Sequence, residues 1–488
     1  MVDLQSTNRV KISKVRESTF GVTPTSPAFK TQRIVSHGLA VNPQTVVSNE
    51  IRQDRQRKDV ILTGYQAGGT VTGEAAFWAL DDHLEEALQG TWATQPSRDN
   101  AGTADSVITN VATSGTIVTC TTGAAFVAGQ LVLFSGFGVA NNNGLFNCTT
   151  GSATAPAFSG SGITDEAAPA ANAVMRVVGF KGASGDLVAA ASALTSTSLN
   201  FTTLGLTVGQ WVKIGGSAAG DQFATAACNG YARISAIAAN TLSFDRLPTG
   251  WTTDSGTGKT LAVFVGDVLT NGSTKRSNTI ERQYLDHSPA SYEYLTGQTL
   301  DRFSLSIQAG QVVTYSEDFV GADGSITTTR VSGATDTAAP TNDVLNAASN
   351  VANIAFDGTI IAGPNYVMEA TVEFNNNLRR QMAVGSLSAV GIGNGEFAAN
   401  LTLNSYFGDK TVLDKLLANS LTSVYFTIGR TDSNNESYLF DFPSVKLTAG
   451  SPSVSGKNAD VMLPAQAAAI IDSTYGYTAA VNRFWYLP

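Results

Sequence analysis

The 488-residue sequence predicts a mainly β chain in which a strand-and-helix module occurs twice and two small β domains are inserted in tandem into the first copy. Three observations carry this. Apolar and polar residues alternate over short stretches, as in "DRFSLSIQ", where Phe303, Leu305 and Ile307 are separated by Ser304 and Ser306. Forty-seven glycines with only 14% charged residues favour strands and turns. Two internal repeats then divide the chain.

The elements follow in order. "VRESTFGVTPTSPAFK" lacks periodicity, and Pro24 and Pro27 disfavour helix, so an extended arm is expected, carrying Glu17, Phe20, Pro24 and Phe29. From Gln32 to Thr72, "RIVSHGLAV" and "GGTVT" suggest antiparallel strands punctuated by Gly68-Gly69. Between them "SNEIRQDRQRKDV" packs Glu50, Arg52, Asp54, Arg55, Arg57, Lys58 and Asp59 into a hairpin or its flank. In "FWALDDHLEEALQGTW" Phe77, Leu80, Leu84 and Leu88 recur at helical spacing, Asp81, Asp82, Glu85 and Glu86 face elsewhere, and Gly90 offers a stop.

Residues 101–266 hold only six basic residues and are rich in Ala, Gly, Ser and Thr. "VAGQLVLFSG" and "TVGQWVKIGG" match at an offset of 80 residues, with Gly129 and Gly209 at matching turns. This region reads as two tandem β domains, 101–180 and 181–266, set in a loop of a module that spans 1–100 and 267–340. Residues 341–488 repeat that module in outline: the strand "VMEATVEF", the polar "NNNLRR" with Asn375, Asn376, Asn377, Arg379 and Arg380, the glycine-rich "VGIGNGEF", a strand, and a helix "DKTVLDKLLAN" with Leu413, Leu416 and Leu417.

Composition excludes several classes of function. A net charge of −9 makes the chain as a whole repel nucleic acid and anionic membranes. No signal-peptide core or membrane-length apolar run is present, so a soluble chain made in a cytoplasm is expected, with no membrane partner. Cys120, Cys148 and Cys228 make no disulfide framework and read as buried thiols. His37, His83 and His287 lie apart, without ligand spacing; His83, among acidic residues of the helix, is expected on a solvated face. "GIGNGE" precedes a strand and reads as a hairpin turn, not a phosphate cradle. Asp81-Asp82 and Glu317-Asp318 read as surface charge. Nothing calls for a catalytic residue, cofactor or metal. The mixed signs of the 48–60 run, without an aromatic to stack on bases, suit a protein surface better than DNA.

The arm, the charged run, a glycine turn and the helix "LDDHLEEALQGTW" together resemble the N-terminal half of tail tube proteins of bacteriophages with long non-contractile tails. The resemblance covers about 10–95 well, 278–330 loosely, and the last 140 residues by module logic. It implies a β-sandwich module with a flanking helix, whose sheets join around a ring. Stacked rings form the virion tube through which DNA passes. It also implies that a loop near Val47 to Val60 and an arm near Arg16 to Lys30 reach between stacked rings; by module logic the weaker echo in "NNNLRR" offers a second such loop. Implied partners are the chain itself, in rings of three by fused duplication or else six, a tape measure protein and DNA in the lumen, and tail-terminal proteins. The inserted domains are expected outside the tube. A carbohydrate-binding, adhesin-like β protein and a tail-terminal or baseplate component are the alternatives.

Overall fold

The structure is a computed structural model that describes residues 4–100, 107–121, 123–159, 162–361, 365–432 and 434–488. The sequence boundary at residue 101 lies outside the described residues. The fold is mainly β: one sheet of 19 strands, one of 14, a two-stranded ribbon, and two short α-helices, α1 (Asp81–Ala87) and α2 (Thr411–Leu417).

The 19-stranded sheet contains one strand order twice. In the first module Val10–Arg16 pairs with Asn278–Tyr284, then come Ser291–Gln308, Thr314–Gly321, Val60–Glu74 and Ala40–Val47, all antiparallel. In the second, Val351–Phe356 pairs with Leu421–Gly429, then come Ser437–Ala449, Met462–Ala469, Ala398–Tyr406 and Val367–Asn375. Even the irregularities coincide. The ladder skips a residue between Leu300 and Arg302 in one module and between Leu447 and Ala449 in the other. A bulge bends its strand and sharpens the twist, so each long strand passes from an outer ladder to an inner one at this point.

The alternation read in "DRFSLSIQ" sets the faces: Phe303, Leu305 and Ile307 are buried, and Ser304 and Ser306 lie on the other face. Gly68-Gly69, expected at a turn, instead lies inside the 15-residue strand Val60–Glu74. Here φ is +140° and +137°, and a Cβ would stand 2.2 Å from Phe319 O or 2.3 Å from Gly38 O. The glycines let three strands approach, a role that local sequence does not distinguish from a turn.

Around α1, Phe77, Leu80, Leu84 and Leu88 are all buried. Gly90 ends this segment where a Cβ would meet Thr270 O at 2.1 Å. The polar face of α1 is not solvated as expected, because Val10–Arg16 and Thr314–Gly321 close over it. His83 is 4% exposed and lies 2.5 Å from Glu317 Oε1, and Lys14 Nζ donates to Glu86 Oε1 at 3.0 Å. Asp81 and Glu317 are likewise interior, not surface charge. Burial works to raise the Glu317 carboxyl, but His83 and Lys14 outweigh it and hold it low. The second helix is looser: Val412 is buried but Leu417 is exposed.

Asp82 gives this cluster a pH signature. Burial acts to raise its carboxyl, but Lys14, Lys30 (Nζ at 2.6 Å) and His83 outweigh it and bring the pKa down to about 2 from 3.8. A carboxylate depressed on folding stabilises above its unfolded pKa and loses that contribution as pH falls through the folded one. Chemical denaturation should therefore show roughly 1 kcal/mol, after solvent screening, lost between about pH 4 and pH 2. In Asp82→Asn that component of the pH profile should vanish.

The 14-stranded sheet, from Ser97–Asp99 to Ala262–Val265, encloses two apolar cores, Ile108–Val177 and Phe180–Val265. The 80-residue repeat recurs in atomic detail. Gln130 Oε1 accepts from Val127 N and Gln210 Oε1 from Thr207 N, while Asn143 and Asn229 each bridge the backbone N–H and C=O of a phenylalanine, Phe137 and Phe223. Gly129 and Gly209 adopt φ of +90° and +87°. All three cysteines are free and buried.

Candidate assembly surfaces

Four strands of each module form one continuous inner sheet of eight, in the spatial order 40–47, 60–74, 314–321, 299–308, 367–375, 398–406, 462–469 and 445–449. Strand periodicity puts its apolar residues on one face, against the core. Across the other face one row reads Thr72, Ser316, Ser304, Glu373, Asn400, Ala468, Lys446. The neighbouring rows add Glu74, Asp318 and Glu369 to hydroxyl and amide groups, while Arg302 and Lys446 are their cationic counterparts. Arg302 Nε is 3.8 Å from Glu373. The face is hydrophilic, broad and acid-leaning.

The two modules meet in a full antiparallel ladder, Arg302–Gln308 against Asn375–Glu369. Phe303 and Phe374 stack across it at 6.3 Å, flanked by Leu305 and Val372. Burying each such aromatic contributes about 1.5–3 kcal/mol to holding the modules together. The outer edges of the eight-stranded sheet, at Ala40–Val47 and beyond Ala449, have no strand partner among the described residues. An unpaired edge is a template for another chain.

The charged run is the tip of the hairpin between Ala40–Val47 and Val60–Glu74. Asp54 accepts from Arg52 Nη2 at 2.6 Å and from Gln56 N at 3.1 Å, Lys58 reaches Glu50 at 3.2 Å, and Asp59 accepts from Val60 N. Arg55 and Arg57 are exposed and form no ion pair among the described residues. Their charge faces outward.

The echo in "NNNLRR" is not a second free loop. Asn376 is buried and donates to Ala87 O and Leu300 O, closing the end of α1 from the other module. Arg380 donates to Gly321 O and Ala67 O. Asn375 accepts from Asn377 N, Asn377 donates to Glu396 O, and Arg379 donates to Asn394 O. Asn376 and Arg380 thus tie the two modules together just past the junction strand, while Asn375, Asn377 and Arg379 bond within the second module. Gly391–Gly393 pairs with Arg379–Gln381 as a small ribbon, where a turn was expected.

The arm too is folded onto its own module. Glu17 is buried and accepts from Gly21 N, Thr279 Oγ1 and Gly297 N. Phe29 is fully buried beside Tyr294, with the Arg330 guanidinium over its ring, and Phe20 and Pro24 are half-buried. Neither Glu17 nor Phe29 is available to reach a neighbour, because each closes the outer ladder around Asn278–Tyr284 and Ser291–Gln308.

Sequence reasoning missed the anchorage of the inserted domains. Arg233, on the inserted strand Gly230–Ile237, donates to Asp441 at 3.0 and 3.2 Å and to Asp245, all over the faces of Trp211 and Tyr475. Trp211 N donates to Asn482, and its ring tilts on Tyr425 at 4.3 Å. A second node gathers Arg483, Trp485 and Gln95 N on Asp267, with Arg483 also donating to Asp81 of α1. Burial pushes Asp441 and Asp81 up against the pull of their arginines. The 14-stranded sheet thus interrupts the first module in sequence yet is anchored on side chains of the second. The available signal was a charge inside an aromatic strand, as in "YLFDF" and "VNRFW".

Among the described residues no group of three or more His, Cys, Asp or Glu side chains could hold a metal ion, and no helix is long and apolar enough to cross a membrane. A search among curated proteins returns no match. A family model described as phage tail tube protein matches residues 7–243 and 249–479, nearly the whole chain in two segments. The chain belongs to this family, whose members are structural components of the virion tail and not enzymes.

Proposed function

We propose that this phage tail tube protein assembles into rings that stack into the tube of a long non-contractile tail, with the hydrophilic face of its eight-stranded sheet lining the channel for DNA. The observation that carries this reading is the sheet itself: two modules already joined edge to edge, with an unpaired edge at each end. An edge that continues into a second copy turns an aggregation hazard into assembly, and a heterologous contact of this kind closes into a ring if its rotation allows. Because each chain supplies two modules, three chains per ring is the favoured closure and six the other.

The chemistry of the open face suits passage. Serine, threonine and amide groups wet it, and Glu74, Asp318, Glu369 and Glu373 keep phosphate from being held as a basic wall would hold it. The same channel would contain a tape measure protein before ejection. The Glu50–Asp59 tip reaches the next ring, where complementary charges set register more than affinity. The inserted domains sit on the outside of the tube, and terminal proteins cap it. Synthesis takes place in the host cytoplasm.

Electron microscopy of the purified protein tests this reading. Rings and hollow tubes are the expected result. Monomers alone, under every assembly condition and beside a virion whose tail lacks the chain, would overturn it, and glycan binding by the chain would then favour an adhesin.

A further inference from the structure

We propose that the ring closes by pairing Ala449–Ser455 of one chain with Ser36–Asn42 of the next, antiparallel, with Ser451 opposite Ala40; this rests on the ring reading above. The chain carries its own template for the joint. At the junction between its modules, Ser304 stands opposite Glu373. The shared bulge fixes the phase on one side: Arg302 follows it opposite Asp318, Ala449 follows it opposite Gln466, and so Ser304 corresponds to Ser451. On the other side Val320 pairs with Gly68 and Ala468 with Asn400, which makes Gly68 and Asn400 counterparts. Gly68 faces Ala40 and Asn400 faces Glu373. Ala40 therefore takes the place of Glu373.

Both stretches turn backbone groups away from their own sheet. Gly38 N donates inward to Thr70 O, so the alternating positions His37, Leu39 and Val41 turn their N–H and C=O outward. Ser453 and Met462 exchange bonds on the inner side, so Pro452 and Val454 turn outward. Pro452 has no N–H to give. In the proposed register it faces Leu39, whose carbonyl already accepts from Arg282 Nη1 at 2.8 Å. A shift of two residues either way would bring the N–H of Gly450 or Val454 against that occupied carbonyl and leave another carbonyl facing the proline. Where the internal junction has Phe303 and Leu305, the joint between chains has Gly450 and Pro452. It lacks the aromatic stacking, which makes it the weaker and reversible one of the two.

Residues 40 and 451 would form a non-hydrogen-bonded pair, with Cα atoms about 4.5 Å apart, within reach of a disulfide. The test is mild oxidation of assembled Ala40→Cys/Ser451→Cys protein; the native thiols are buried. Non-reducing gels should show chain-to-chain cross-linked species absent from either single variant and from unassembled protein. Asn42→Cys with Ala449→Cys is the second pair, which keeps the test alive if the first disturbs assembly. Intact tubes that cross-link at neither pair, or that cross-link better with Ala40→Cys/Ser453→Cys, overturn the register and leave the ring reading standing. Failure of the unmodified protein to form rings overturns that reading instead.

Discussion

Tubes are expected to disappear, with the monomer still folded, when Arg52, Arg55 and Arg57 are all replaced by glutamate. The three arginines are exposed at a hairpin tip, so the thermal midpoint should stay within a degree or two of the parent's, as for ordinary surface substitutions. What changes is the sign of the surface that the proposed stacking would show to the next ring. Arg52 is paired with Asp54, and Lys58 with Glu50, while Arg55 and Arg57 have their charge free for a partner. Like charges brought face to face cost several kcal/mol across a contact, enough to end stacking. Electron microscopy should show rings without long tubes. Tubes of normal length would mean that the run is only a solvated hairpin.

Arg233→Met should cost about 3–5 kcal/mol of stability, the usual penalty for removing one partner of a buried ion pair. Arg233 is 1% exposed and Asp441 is fully buried, so the substitution strands a carboxylate among Trp211, Tyr475 and Tyr477. Burial already raises the Asp441 pKa in the presence of the arginine, and without it the group has to protonate to remain inside. The loss should show as a lower unfolding midpoint and faster proteolysis near Asp99 and Gly266, where the inserted domains join the first module. Arg233→Met combined with Asp441→Leu should recover most of the loss, because replacing both partners removes the stranded charge. Unchanged stability of the single variant would mean that the inserted domains do not depend on this anchor.

Much of the fold was legible in the sequence because it depends on period-2 alternation. "DRFSLSIQ" and "VMEATVEF" each announce a strand with one apolar face, and the structure pairs these two strands with each other. The duplication was visible as a shared order of strand, polar run, strand and helix. The pairing that joins the copies was not, because alternation gives a strand its faces and leaves its neighbours open. Gly68-Gly69 looks like a turn in the sequence because what places these glycines is close approach by a third strand, and that is a tertiary fact. His83, Asp81 and Glu317 look exposed in the sequence because charged residues are seldom buried unless paired, and their partners Lys14, Arg483 and His83 lie far away in sequence or in another element. The arm failed for a related reason: aperiodic sequence looks free, yet Phe29 packs beside Tyr294, more than two hundred residues away in the chain.

The charged hairpin tip lies where its sequence placed it, whereas Asn376 and Arg380 are consumed within the chain. Each exposed edge is the counterpart of one side of the module junction, Ala449 of Arg302 and Ala40 of Glu373, and this follows from strand register alone.

A cryo-EM reconstruction of the assembled tube tests the central claim most directly. Three chains per ring are expected, each giving eight adjacent strands to a closed inner wall, with the Thr72, Ser304, Glu373 and Asn400 face turned to the channel and residues 107–265 on the outside. A channel lined by the inserted domains, or an inner wall in which the eight-stranded sheets of neighbouring chains do not pair, would contradict it.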